Sequence, residues 1–309
     1  MTPAIETEGL GRDYGSTRAL DALDLTVPAG ALVGLLGPNG AGKTTTMLLL
    51  ATLLAPSRGA ARVFGEDVAR RRAAVRRRLG LVFQETSVDG LLTVRENLLF
   101  AARLVGLGGR LATGAVADAI ERAGLGDRAG QPARQLSGGW RRMLDVTRAL
   151  LHHPDLLILD EPTVGLDPEH RERIWTILAG QRREHGTTVL FSTHYLAEAE
   201  PADRAVLLSR GEVVADGPPA TLRAELGDEI AEIDGAGAER LVRAIRGLGA
   251  ARTVLRTERG FRVGLTGSRE PVVELAGNAP GIERLTLRPP SLEDVYFART
   301  QRDGDTPAT

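Results

Sequence analysis

Gly37-Pro38-Asn39-Gly40-Ala41-Gly42-Lys43-Thr44-Thr45 constrains this chain more than any other stretch. It follows the apolar run Ala31 to Leu36, bounded by Gly30 and Gly37, which reads as a strand buried on both faces. It precedes Met47 to Ala55, apolar nearly all round, which reads as a buried helix stopped by Pro56. Strand, glycine-rich turn and helix is the context a phosphate-binding loop requires. The glycines let the backbone curl until successive N–H groups face one anion. The helix start adds unpaired donors and partial positive charge. Lys43 is the only lysine in a chain whose Lys and Arg total 39. Keeping lysine at one position of an otherwise all-arginine chain points to a need there for a compact, flexible point charge. Lys43 is expected to reach the β- and γ-phosphates of a nucleotide, and the Thr44 hydroxyl to ligate Mg2+.

A second apolar strand, Leu156-Leu157-Ile158-Leu159, ends in Asp160-Glu161-Pro162. Carboxylates at the C-terminal end of such a strand face the crevice of an open α/β sheet. Asp160 is expected to hold Mg2+ through water, and Glu161 to take a proton from an attacking water as general base. Between the two elements lies Leu136-Ser137-Gly138-Gly139-Trp140, followed by a helix with Met143, Val146 and Leu150 on one face. Ser137 is a natural N-cap, and taken alone the segment reads as a plain helix cap. In a chain with one phosphate loop, a second anion-binding helix terminus implies that a second copy supplies the nucleotide.

At these residues the chain resembles the ATP-binding-cassette (ABC) ATPases, over roughly Ile5 to Asp216. Leu136 to Gly139 is similar to that family's signature, Gly165-Leu166-Asp167-Pro168 to its D-loop and Ser192-Thr193-His194 to its switch-histidine segment. Val82-Phe83-Gln84 resembles the glutamine loop, and Tyr14 stands where an aromatic stacks on adenine. The resemblance implies ATP and Mg2+ as ligands, with His194 at the γ-phosphate and Gln84 on Mg2+. Ser137, Gly138 and Gly139 would clamp the ATP of an opposite subunit in a head-to-tail homodimer, with Asp167 also at the nucleotide. The fifth signature position, usually Gln, is Trp140, which leaves open the local dimer contact and the hydrolysis rate. The segment from Thr93 to Leu98 and on through Arg122 matches a helical subdomain that, in the family, docks on a cytoplasmic helix of the transmembrane subunit.

Composition narrows the alternatives. Asp and Glu total 40, for a net charge of −1, so a nucleic-acid binder relying on phosphate neutralisation is disfavoured. The arginines at 70, 71, 72, 76, 77 and 78 then read as a solvated helix face before a strand at Leu79 to Phe83. The chain has no cysteine, which excludes thiolate metal sites and cysteine nucleophiles. No apolar run approaches the roughly 20 residues of a membrane span, and MTPAIETEGL does not read as a secretion signal. The expected fold is α/β: a P-loop ATPase core with an antiparallel β subdomain and helical insertion, plus a small C-terminal α+β domain. Residues 1–225 are assigned to the ATP-binding domain, with its helical subdomain at about 85–152. Residues 226–300 are assigned to an accessory domain and 301–309 to a polar, disordered tail.

In the last third, short alternating runs at Ile230–Ile233, Thr253–Leu255, Phe261–Leu265, Val272–Leu275 and Leu285–Leu287 accompany an amphipathic helix at Ala238–Leu248. Pro290-Ser291-Leu292-Glu293-Asp294-Val295-Tyr296-Phe297 resembles the C-terminal motif of daunorubicin/doxorubicin-resistance-type exporter ATPases, or is a capped helix packing on its own domain. The resemblance implies an exporter's ATPase subunit at the cytoplasmic face of the membrane, working through a separate transmembrane permease and not on nucleic acid. An importer ATPase with a regulatory C-terminal domain, or a soluble cassette ATPase acting on DNA or ribosomes, are the alternatives. The exporter motif argues against the first, and the single phosphate loop without a long coiled coil against the second.

Overall fold

In the computed structural model, which describes residues 2–301, the chain opens with β1 (Ile5–Tyr14) and β2 (Thr17–Val27), paired antiparallel from Ile5 opposite Val27. β3 (Leu32–Leu36) is buried at every position and feeds the glycine-rich turn and α1 (Lys43–Leu50). The helix stops well short of Pro56. Thr52 takes a left-handed conformation, φ 63°, and Leu53 N–H bonds back to the Leu48 carbonyl at 2.9 Å, which closes the helix C-terminus. β4 (Arg58–Val63) returns to β1 with Val63 opposite Ile5, and β5 (Glu66–Asp67) follows on its outer side. These strands form the antiparallel subdomain.

α2 (Arg72–Arg77) leads to β6 (Leu79–Val82). Three of the six arginines at 70–78 are bonded within the chain, and Arg70, Arg72 and Arg77 are exposed. Arg76 donates to the Thr52 hydroxyl at 2.7 Å, Arg71 pairs with Glu66, and Arg78 pairs with Asp155 at 2.6 Å while lying over the Phe64 ring. The helical insertion comprises α3 (Val94–Leu104), α4 (Gly109–Arg122) and α5 (Gly138–Leu150). α3 starts at a capping box in which Thr93 and Glu96 satisfy each other's N–H groups. β7 (Leu156–Leu159), α6 (Pro168–His185) and β8 (Thr188–Thr193) complete this half.

β3, β8, β7 and β6 lie side by side in parallel, with Leu36 opposite Thr193, Leu159 opposite Phe191 and Val82 opposite Leu159. All three registers end together. The loops leaving β3, β6, β7 and β8 therefore open at one carboxyl edge, where a doubly wound sheet binds ligands.

The chain divides into two compact units, one running to His194 with Arg210–Val213, the other comprising Tyr195–Ser209 and Val214 onward. In the second, β9 (Arg204–Ser209) neighbours β10 (Glu212–Gly217), and α7 (Pro219–Ala224) follows. β11 (Glu229–Asp234), α8 (Ala238–Gly247), β12 (Ala251–Arg256), β13 (Gly260–Leu265), α9 (Glu270–Gly277) and β14 (Arg284–Arg288) build an antiparallel sheet in the order β12-β13-β11-β14. Ile233, Leu241, Ile245, Val263 and Val272 meet in its core. The run Val272–Leu275, read as one of the alternating segments, is helical. Four residues cannot distinguish a strand from one turn of helix, and Pro271 in the first turn with Val272 facing the core selects the helix.

α10 (Leu292–Thr300) carries the C-terminal motif. Ser291 and Asp294 form a capping box, and the Asp294 carboxylate accepts two bonds from Arg288 at 2.6 and 2.8 Å. Burial acts to raise the Asp294 pKa, but the bonds from Arg288 and Ser291 prevail and hold it below the ordinary carboxylate value. The tail expected at 301–309 falls, beyond Gln301, outside the described residues.

Candidate active site

The loop after β3 turns through left-handed glycines, with φ 81° at Gly40 and 106° at Gly42. A Cβ at Gly42 would also lie 2.9 Å from the Ala19 carbonyl, so that position admits only glycine on two counts. α1 begins at Lys43 with no side-chain cap and no acidic residue in its first turn. Its first N–H groups are left for an external anion. The Lys43 ammonium folds over the loop and donates to the carbonyls of Gly37 at 2.8 Å and Pro38 at 3.0 Å. Burial pushes its pKa down, against the opposing carboxylates of Glu161 and Asp160. Gly37 to Thr45 is thus a cradle of donors closed by a cation.

A chain of hydrogen bonds runs from this cradle to the ends of β7 and β8. The Thr44 hydroxyl donates to one oxygen of Asp160 at 2.9 Å, and the Ser192 hydroxyl donates to the other at 2.5 Å. Ser192 in turn accepts from the Glu161 N–H at 2.9 Å. Glu161, nearly buried, holds φ 47°, a conformation that costs a non-glycine residue of order 1–3 kcal/mol. Its carboxyl group meets Nδ1 of the His194 ring at 3.0 Å. Gln84 is exposed, and its backbone carbonyl is drawn toward Glu161 because Arg142 donates to both carbonyls, at 3.0 and 2.9 Å. Tyr14 ends β1 with its ring half exposed and the Arg12 guanidinium 5.0 Å from its centre.

The donors fit Mg2+. Thr44 and Asp160 offer a hydroxyl and a carboxylate, hard oxygen ligands suited to an ion that keeps its waters and shares substrate phosphates. Among the described residues no group of three or more His, Asp or Glu side chains could cage a metal by itself.

Gly139 and Asp167 meet at a different residue, His170, and Ser137 and Gly138 precede Gly139 at the start of α5. Ser137 caps α5 by accepting from the Trp140 N–H at 3.4 Å and is exposed, as is Gly138. A Cβ at Gly139 would strike the His170 ring at 2.5 Å. Asp167 caps α6, accepting from the His170 N–H at 3.0 Å and meeting its ring Nδ1 at 2.7 Å. These bonds lower the Asp167 pKa. Trp140 sits edge-on to His170, with the guanidiniums of Arg128 and Arg173 4.0 and 5.2 Å from its ring.

The family model described as ABC transporter matches residues 20–164. The daunorubicin/doxorubicin resistance ATP-binding protein DrrA of Streptomyces peucetius is 42% identical over 317 residues, spanning 100% of this chain and 96% of that protein. The chain belongs to the ABC transporter family. The Nod factor export ATP-binding protein I of Cupriavidus metallidurans is 39% identical over 306 residues, covering 98% of this chain and 99% of its own. A solved ATP-binding cassette, a dimer in a post-hydrolysis state bound to ADP and Pi, matches with a TM-score of 0.64 at 26% identity. That match covers 69% of this chain and 98% of the other.

Within this ABC cassette, three polar residues take parts that the motifs did not assign, although Ser192 is the first residue of the switch-histidine segment. Ser192 links Asp160 to the Glu161 backbone. His170 joins Asp167 to Gly139, and its position three after an N-cap aspartate was a readable signal. Arg142 lies four before Val146 and eight before Leu150, on the apolar stripe of α5, and a charge there was the visible anomaly.

Proposed function

We propose that this chain is the ATP-hydrolysing subunit of an exporter for a drug-like or lipophilic substrate, which crosses through a separate permease. The observation that carries the reading is the unbroken line Thr44–Asp160–Ser192–Glu161–His194 beside the Lys43 cradle. Lys43 and the first N–H groups of α1 bind the β- and γ-phosphates. Thr44, Asp160 and Gln84 would hold Mg2+, which when bound neutralises phosphate charge. Tyr14 stacks on the adenine. Glu161 accepts a proton from the attacking water while a new P–O bond forms at the γ-phosphorus and its bond to the β–γ bridging oxygen breaks, releasing ADP. The hydrogen bond to His194 orients the Glu161 carboxylate, and His194 contacts the γ-phosphate.

Ser137, Gly138, Gly139 and Asp167 serve the nucleotide of a second copy packed head to tail, so each ATP is bound by both subunits. The exposure of Ser137 and Gly138 at a helix N-terminus supports this. The exposed apolar side chains Leu91, Phe100, Leu104 and Leu111 of the helical insertion support docking to the permease. No helix among the described residues is long and apolar enough to cross a membrane, so the substrate path is assigned to that partner, with this subunit at the membrane's cytoplasmic face. The chain's net charge of −1 and the internal bonds of Arg71, Arg76 and Arg78 support the absence of a nucleic-acid partner. Residues 1–225 carry the nucleotide chemistry and 226–300 an accessory role in assembly.

The test is a mixed dimer. Ser137→Arg and Lys43→Ala variants are assayed alone and then mixed, and Mg·ATP hydrolysis is followed. Each alone is expected to be nearly inactive and the mixture to recover turnover, because a mixed dimer holds one intact site built from the cradle of the Ser137→Arg chain and the signature of the Lys43→Ala chain. No recovery on mixing sinks the shared site.

A further inference from the structure

Glu161 is held in its left-handed conformation from both sides of its backbone. Its N–H is bound by Ser192, and its carbonyl accepts from the Arg142 guanidinium at 2.9 Å. The same guanidinium donates to the carbonyls of Phe83 and Gln84, within the segment that resembles the glutamine loop. One rigid, planar fork therefore fastens three peptide carbonyls from two loops, a task no ammonium could perform with the same geometry. Arg142 is itself nearly buried. Its charge is balanced at 3.9 Å by Asp145, which is anchored in turn by Ser87 at 3.0 Å and Arg148 at 3.2 Å. A buried guanidinium is costly unless paired and hydrogen-bonded. Here its bonds go to the backbone of the proposed base and of the neighbouring loop.

We propose that Arg142 is a positioning residue: it locks the Glu161 backbone to the Phe83–Gln84 segment, so that displacement of that segment moves the base. This rests on the reading of Glu161 as general base. It adds a residue on α5, the helix capped by Ser137, to the control of hydrolysis within the same chain.

The experiment uses the full-length chain and three variants, Arg142→Gln, Arg142→Lys and Glu161→Gln, with the double variant Arg142→Gln/Glu161→Gln. Arg142→Gln is expected to bind Mg·ATP within about threefold of wild type while kcat falls about 10- to 100-fold, the pattern of a lost transition-state contribution. In the Glu161→Gln background the same change is expected to cost less than about twofold, because residues acting through one group are not additive. Hydrogen–deuterium exchange should rise in Arg142→Gln at Val82–Glu85 and at Glu161–Thr163 together, with α1 unchanged. If Arg142→Gln does not fold, Arg142→Lys carries the test, with an expected loss in kcat of about five- to tenfold at unchanged ATP affinity. Full multiplicative loss in the double variant, a rise in exchange at only one of the two segments, or wild-type kcat in Arg142→Lys overturns the proposal. Near-normal turnover in Glu161→Gln alone instead removes the base assignment, so the two failures are told apart.

Discussion

Each unit of the molecule buries a dense knot of charge, and the two knots differ in what they leave open. Around β3, β7 and β8 the polar groups of Thr44, Asp160, Ser192, Glu161 and His194 are strung in a line beside an uncapped helix start and a lysine bonded only to peptide carbonyls. In the C-terminal unit, Asp294 is saturated. It accepts from Arg288 twice, pairs with Arg262 at 3.5 Å and closes a capping box with Ser291, while Arg288 also binds Glu232 at 2.9 Å. One knot presents donors and acceptors at a sheet's carboxyl edge; the other consumes its own. Buried charge is therefore no mark of chemistry by itself. The mark is a site whose hydrogen-bonding capacity is completed only by a ligand.

That contrast breaks if Glu161 proves dispensable. Glu161→Gln is expected to lower turnover by about 10²–10⁴-fold, the range for loss of a general base, and to leave ATP binding intact so that an ATP-bound dimer accumulates. Steady-state hydrolysis with size-exclusion chromatography in ATP checks both. Asp294→Ala should do the reverse. Removing the buried partner of Arg288 is expected to cost about 3 kcal/mol of stability, moderated by the partial exposure of Arg288, while ATP affinity stays unchanged. Because the folded pKa of Asp294 is depressed, its stabilisation is fully present above the ordinary value of 3.8 and is lost as pH falls through the lower folded value. Melting curves taken from neutral pH downward should show wild type and Asp294→Ala converging only in acid. Convergence at neutral pH would mean that the knot does not hold the unit together.

Lys43→Ala sharpens the comparison from the other side. It removes two bonds to carbonyls of the same loop, but its main expected effect is on ligand, a loss of about 10- to 100-fold in ATP affinity from one charge-assisted contact. A fall in melting temperature with unchanged affinity would move Lys43 into the structural class alongside Arg288.

How far these differences were legible follows from where the determinants lie. The cradle could be read because its parts are contiguous: glycines, lysine and threonine in one run between two apolar segments. Asp160 and Glu161 could be read because four buried residues precede them. The burial of the core strands on both faces followed from their unbroken apolar runs. Contacts set by tertiary packing were hidden. Nothing near Arg142 in sequence shows that its guanidinium meets carbonyls from residues 83, 84 and 161. The end of α1 at a left-handed Thr52 was masked by continuing apolar residues, and Val272–Leu275 was too short for its period to speak.

Trp140 gives the smallest expected effect and the finest test. It stands where the family usually has Gln, yet its ring is flanked by Arg128 and Arg173 and abuts His170, while the Ser137 cap is made to its backbone and not its side chain. Trp140→Gln should therefore cost about 1 kcal/mol of stability from the lost ring contacts. Hydrolysis should stay within about threefold, since the capped helix start survives. A loss comparable to that of Glu161→Gln would show that the ring belongs to the open, ligand-completed kind of site, and that the signature of this chain works through its tryptophan.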